Sequence, residues 1–275
     1  LYMIVGGMPQ AIKTYIETNN FRQVDEAKRD ILNLYEDDFL KIDSTGRAKM
    51  LFNAIPSQLE KNASRYQVSS VLKNTRAENI LDLISEMESS KTVLIAYNSN
   101  DPNTGLSKTK NLEKFKMFLC DTGLFTTMIF KDKDFTENII YEKLLFDKLD
   151  SNLGYLYENV VAQILKANGN ELFYYTFLNE ASRHNYEIDF ILSRKNKVYP
   201  IEVKSSSYKT HSSLDAFCKK YSSRIHEKYL VYTKEFRKDS DIFCIPFYFH
   251  LIPHRTNDMA VHNVHDFHFC LLTYC

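Results

Sequence analysis

Apolar residues recur at helical spacing through the N-terminal stretch: Ile12, Tyr15 and Ile16, then Val24, Ala27, Ile31, Leu34 and Tyr35, with charges between them. Pro9 sits where a first helical turn tolerates it, so the pattern predicts helix over 9–41, broken at Thr18-Asn19-Asn20. A shorter periodic run over 48–55 ends at Pro56. Ser57-Gln58-Leu59-Glu60, Ser followed three residues later by Glu, opens the next helix. A third spans 75–87, with Ile80, Leu81, Leu83, Ile84 and Met87 on its apolar face. Two β-like runs follow, 92–97 and 115–119, around a polar loop containing Asn-Asp-Pro-Asn and Gly105. Three short helices and a hairpin are the order of a winged helix-turn-helix; the alternative is a generic helical packing domain.

Residues 131–150 read as a polar, then amphipathic connector carrying Ile139, Ile140, Leu144, Leu145 and Leu149. A strong helix is predicted over 153–167, ended by Asn168-Gly169. Strands are predicted at 171–177, 187–193, 198–204 and 228–232, with a helix at 212–221. The expected fold class is therefore α+β or mixed α/β: a helical, winged-helix-like first part, then a mixed β-sheet flanked by helices. The expected boundaries are 1–45 helical, 46–130 winged-helix-like, 131–150 connector, 151–253 mixed sheet and 254–275 irregular tail.

The hairpin at 187–204 carries the chemistry. Arg194-Lys195-Asn196-Lys197 is the polar turn between two apolar strands. If Arg194 faces Lys197, Asp189 falls directly opposite Glu202. Opposed Cβ atoms lie about 4.5–5.5 Å apart in an antiparallel pair. Two carboxylates that close repel, and a shared proton or a bound cation relieves them. Lys204 points to the same face as Glu202, two residues on. The other face is expected to carry Ile188, Phe190, Leu192, Tyr199, Ile201 and Val203 as core. Mg²⁺ or Mn²⁺ is the expected ion, since Mg²⁺ binds through one or two carboxylates and keeps several waters.

Glu158 lies in the preceding helix, in LGYLYENVVAQIL, bordering the stripe that contains Val161 and Leu165. An acid there can reach the metal or orient its water. It can equally be a boundary glutamate paired with a lysine, and these residues alone leave both readings open.

Composition narrows the field. An apolar share of 44% and a charged share of 25% belong to a globular chain. Formal net charge is zero, so any nucleic-acid contact must come from local patches. Lys61, Arg65, Lys73 and Arg76 are the candidate phosphate contacts. The start lacks a basic flank and a cleavage site, and no run of eighteen apolar residues occurs, so neither a signal peptide nor a membrane partner is expected. Five cysteines without a C-x-x-C pair suit a reducing cytoplasm. The first residue is not Met, and the expectation is the back part of a longer protein.

GYLYENVVAQIL, EIDFIL and PIEVKSSS together resemble the PD-(D/E)XK, or restriction-endonuclease-like, superfamily, with Ile188 in place of the usual leading Pro. More narrowly, VGGMPQAIKTYIE, NAIPSQLEKNASRYQVSSVLK and FKMFLCDTGLF resemble the C-terminal half of a prokaryotic family of AAA-type ATPases. Its members end in such a domain, whose function is unknown. The resemblance implies that Asp189 and Glu202 ligate the metal with the Val203 carbonyl. It also implies that Lys204 orients the attacking water or stabilises phosphate charge, and that Glu158 is an accessory ligand. The expected partner is DNA or RNA; the alternative is a non-catalytic module that binds DNA or a protein. ATP is expected only with an ATPase domain, because no G-x-x-x-x-G-K-[ST] loop occurs and Gly6-Gly7, before Met8-Pro9, reads as a turn.

The last residues hold His250, His254, His262, His265, His268, Cys270 and Cys275. Their spacing matches no helical zinc site, and an irregular extension is expected in preference to one.

Overall fold

Two helices meet at Asn19, whose φ of 46° is left-handed and ends α2 (Pro9–Thr18). The Asn20 side chain then accepts from the Arg22 amide and starts α3 (Phe21–Ile42), so the predicted break falls where the asparagines stand. A single turn, α1 (Tyr2–Val5), precedes them. The computed structural model describes residues 1–61, 63–73, 77–131, 154–179, 182, 184–205 and 209–247. The expected connector beyond Lys131 and the histidine-rich tail lie outside these residues.

Helices α4 (Arg47–Asn53) and α5 (Ile55–Glu60) follow almost without interruption. Pro56 was expected to stop a helix, but it lies in the first turn of α5, where its missing N–H costs nothing. The Ser57 hydroxyl donates back to the Ala54 carbonyl and does not form the expected capping box. Then come α6 (Val68–Val71), α7 (Ala77–Ser89), β1 (Val93–Ser99) and β2 (Lys110–Leu119). Helix α8 (Thr122–Ile129), capped by Asp121, has no amphipathic signature, because Thr122 through Met128 are all buried.

Beyond the connector lie α9 (Gly154–Ala167), β3 (Leu172–Leu178), β4 (Asn185–Ile188), β5 (Phe190–Arg194) and β6 (Lys197–Val203). Helix α10 (Ser212–Lys220), β7 (Lys228–Tyr232), β8 (Arg237–Asp239) and β9 (Ile242–Pro246) complete the described chain. Among the described residues the fold is mixed α+β with two mixed sheets, ordered β2-β1-β3-β4 and β5-β6-β7-β9-β8.

The β1/β2 hairpin was expected to be the wing of a separate unit. It is instead joined to the later region, since β1 runs parallel to β3 with Ala96 opposite Leu172 and Asn98 opposite Tyr174. All seven residues of β1 are buried, whereas a wing would face solvent. The expected boundary near residue 130 therefore runs between strands of one sheet.

The two sheets meet at Asp189. Residues 185–188 pair with β3, Ile188 opposite Tyr175, and residues 190–194 pair with β6, Phe190 opposite Ile201 and Arg194 opposite Lys197. The tight turn has positive φ at both Lys195 (45°) and Asn196 (66°), the backbone of a two-residue hairpin, and this sets the register that sequence spacing predicted. Between the two halves the Asp189 carboxylate takes the Val203 amide at 2.7 Å, and the strand leaves β6 for β3.

This break changes which side chains share a face. Phe190, Leu192, Tyr199, Ile201 and Val203 form one core with Val161, Ala162 and Leu165 of α9, as expected. Ile188 does not join them; it packs with Ile191, Val198, Leu214 and Phe217 in the second core. Helices lie over both sides of the sheet; Glu202 is buried, and Glu158, Glu187 and Asp189 are partly buried.

Candidate functional site

Four carboxylates and two lysines meet where β4 and β6 part. Lys116 comes from β2, Glu158 from α9, Glu187 from β4, Asp189 from the strand break, and Glu202 and Lys204 from the end of β6. The Lys116 ammonium is 2.5 Å from Glu187 Oε1 and 3.3 Å from Glu158 Oε2. The Lys204 ammonium is 2.8 Å from Glu202 Oε1. Lys116 is 5% exposed and Glu202 4%, which places both among the side chains that fold only with partners.

Four acids stand against two ammonium groups in direct contact, with Lys114 acting on Glu187 from nearby. The second oxygen of Glu202, Oε2, is buried and has no hydrogen-bond partner. Such an atom carries a desolvation cost of about 1–3 kcal/mol, more when charged. Proton affinities follow the same imbalance. Burial raises the Asp189 carboxyl well above its ordinary range, helped by Glu202 and Glu158 and opposed by Lys116. Burial also raises Glu202, against the pull of Lys204, and raises Glu187, against Lys116. Both lysines move the other way from what burial alone would do: Glu158 and Glu187 hold the Lys116 proton, and Glu202 holds that of Lys204.

All three hairpin residues singled out from spacing, Asp189, Glu202 and Lys204, are therefore brought together. Glu158 reaches the same cluster, but as the partner of a lysine, the alternative its position had left open. For Val203, the contact in the structure is its amide donating to Asp189. Two members were missed. Glu187 stands two residues before Asp189, in E-x-D, and Lys116 is a lone charge inside the apolar run Phe115-Lys116-Met117-Phe118. A charge in the middle of a buried strand was the available signal.

The donor set is carboxylate oxygen, the kind a hard divalent cation takes, and Glu202 Oε2 is unpartnered. As the side chains stand, no three His, Cys, Asp or Glu residues among the described ones are grouped tightly enough to hold a metal ion.

Of the candidate phosphate contacts, Arg65 stands beside the cluster. It lines a small cleft with Leu59, Ala63, Tyr66 and Lys116. Lys114 is close by and donates to Thr176, which is opposite Glu187 in the β3/β4 pair. Lys61 and Lys73 are exposed on other parts of the N-terminal region, and Arg76 lies outside the described residues. Gly6-Gly7 forms a tight turn at Asp121, as read from the sequence: Gly6 has φ 82°, and the Gly7 amide donates to Asp121 at 2.6 Å.

Two family models match the chain. One, a domain of unknown function (DUF8612), covers residues 1–134; the other, also a domain of unknown function (DUF4143), covers 153–249. No curated protein and no solved structure matches. Lys116 and Arg65 fall within the first match and the four acids with Lys204 within the second, so the cluster draws on both. Among the described residues, no helix is long and apolar enough to cross a membrane.

Proposed function

We propose that this cluster is a divalent-cation-dependent phosphodiesterase site acting on DNA or RNA. The observation that carries the reading is the buried Glu202 Oε2, left without a partner among four carboxylates. In this reading Asp189 and Glu202 hold Mg²⁺ or Mn²⁺, which when bound polarises the phosphoryl oxygen and lowers the pKa of its water. Lys204, fixed by Glu202, stands where a cation can orient the attacking water or meet charge on the phosphate. Arg65 and Lys114 supply positive charge beside the acids, where a neighbouring phosphate of the backbone would lie. The remainder of the proposal, a role as the C-terminal part of an AAA-type ATPase, is supported by the sequence resemblance. It is also supported by the match over 153–249, to a domain often found in AAA-ATPase-associated proteins.

The test is incubation of the protein with single- and double-stranded DNA and RNA under Mg²⁺ or Mn²⁺, beside Glu202→Gln and Lys204→Ala. Cleavage by the wild type alone supports the reading. Equal cleavage by all three proteins, or none by any, removes it. One observation favours a second reading, a non-catalytic binding module: Lys116 and Lys204 already hold three of the four acids in ion pairs. Binding of DNA without cleavage, weakened by Arg65→Ala, would select it.

A further inference from the structure

Lys116 is a cation that the fold itself supplies to the cluster. Its backbone is fixed in β2 opposite Ala96 of β1, between the buried side chains of Phe115 and Met117. The side chain is 5% exposed. It takes one oxygen from each of two elements, Glu158 on α9 and Glu187 on β4, and lies 5.6 Å from the centre of the Tyr174 ring. An ammonium is a compact point charge, comparable in place and sign to a metal ion held by two acids. Sites that use two metals hold them about 3.5–4 Å apart on shared carboxylates. Here the acids divide into two pairs, each with one lysine: Lys116 joins both acids of its pair, whereas Lys204 reaches only Glu202 and leaves Glu202 Oε2 without a partner.

We propose that Lys116 stands in for a second divalent ion, so that the cluster binds a single one, at Asp189 and Glu202. This rests on the phosphodiesterase reading for the first ion and goes beyond it in assigning Glu158 and Glu187 to the lysine. The consequence is a stoichiometry. The wild-type chain binds one Mn²⁺; Lys116→Met, which frees two partly buried carboxylates, binds two; Lys116→Met/Glu187→Gln returns to one.

Titration of the full chain with Mn²⁺, followed by calorimetry and by the electron paramagnetic resonance of free Mn²⁺, reads this directly, with circular dichroism as the control for folding. Two ions on the wild type, or one on folded Lys116→Met, overturns the proposal while leaving the phosphodiesterase reading intact. No ion on either protein overturns both. If Lys116→Met does not fold, four single variants decide. The proposal expects Glu158→Gln and Glu187→Gln to keep the ion with affinity changed only a few-fold, and Asp189→Asn and Glu202→Gln to lose it. Loss of the ion in Glu158→Gln or Glu187→Gln overturns it.

Discussion

Two of the places where the described residues bury charge are satisfied in different ways. Near the N-terminus, Asp121 accepts from the Gly7 amide through one oxygen and from the Leu124 amide, at 2.8 Å, through the other. Asp25 is divided between Arg29 and Thr127, each at 2.7 Å, and the wholly buried Lys28 donates to the Ile4 and Gly123 carbonyls. Every one of these groups points at a backbone or side-chain partner, and the network ties α1 and α3 to α8. At the strand break the acids outnumber the lysines and one oxygen has no partner. A polar network completed internally is a structural fastening. One left with an unpartnered buried oxygen costs stability.

The contrast can be broken most decisively at the strand break. Asp189→Asn or Glu202→Gln is expected to lower Mn²⁺-dependent cleavage by about 100-fold or more, the usual scale for a lost metal ligand or electrostatic group. The thermal midpoint is expected to hold or rise, since like charges are removed from an interior. A large fall in midpoint would put these acids in the same structural class as Asp121.

The opposite pattern is expected at the first network. Asp121→Ala leaves the buried Leu124 amide and the part-buried Gly7 amide unpaired and should cost about 1–3 kcal/mol, read from urea unfolding. Gly123→Ala should do as much, because a Cβ there would stand 2.5 Å from the Gly6 backbone, which cannot yield cheaply. Cleavage per folded molecule should be unchanged in both; a specific loss of activity would join the two regions.

Lys28 gives the contrast a pH axis. Burial brings its pKa down to about 8, against the attraction of Asp25 and Asp121. Above that pH the folded chain has released a proton that the unfolded chain keeps until about 10.5. The unfolded state therefore binds more protons across this window, and stability rises with pH from about 8 to 10.5. The gain has an upper bound of about 3 kcal/mol. Denaturant midpoints measured across the window should climb in the wild type and lose this rise in Lys28→Met; an identical slope in both would exclude Lys28 as its source.

The smallest effect is expected at the rim. Arg65→Ala should weaken nucleic-acid binding a few-fold and reduce its salt slope by about one, as for one lost phosphate contact. Lys61→Ala and Lys73→Ala, away from the cleft, should do less. Equal effects from all three would mean that the cleft has no special place in binding.

Local chemistry determined a good part of this molecule. The break between α2 and α3 was legible because two asparagines cap helices whatever surrounds them. The β5/β6 register was legible because a two-residue turn at Lys195-Asn196 leaves one way to pair the strands. From that register alone Asp189, Glu202 and Lys204 could be brought to one place. Only tertiary structure decided the rest. The parallel pairing of β1 with β3 joins segments more than seventy residues apart, and nothing local encodes it. Helix α8 is buried all round and so has no periodicity to read. The strand break at Asp189 depends on β3 competing with β6 for the same strand, and it sent Ile188 to the other core. Lys116 could be noticed in sequence as a charge out of place, but its partners lie 42 and 71 residues further along the chain. Spacing reports what neighbours in sequence can do together, whereas the charge balance of this site is set by side chains that become neighbours only when both sheets are assembled.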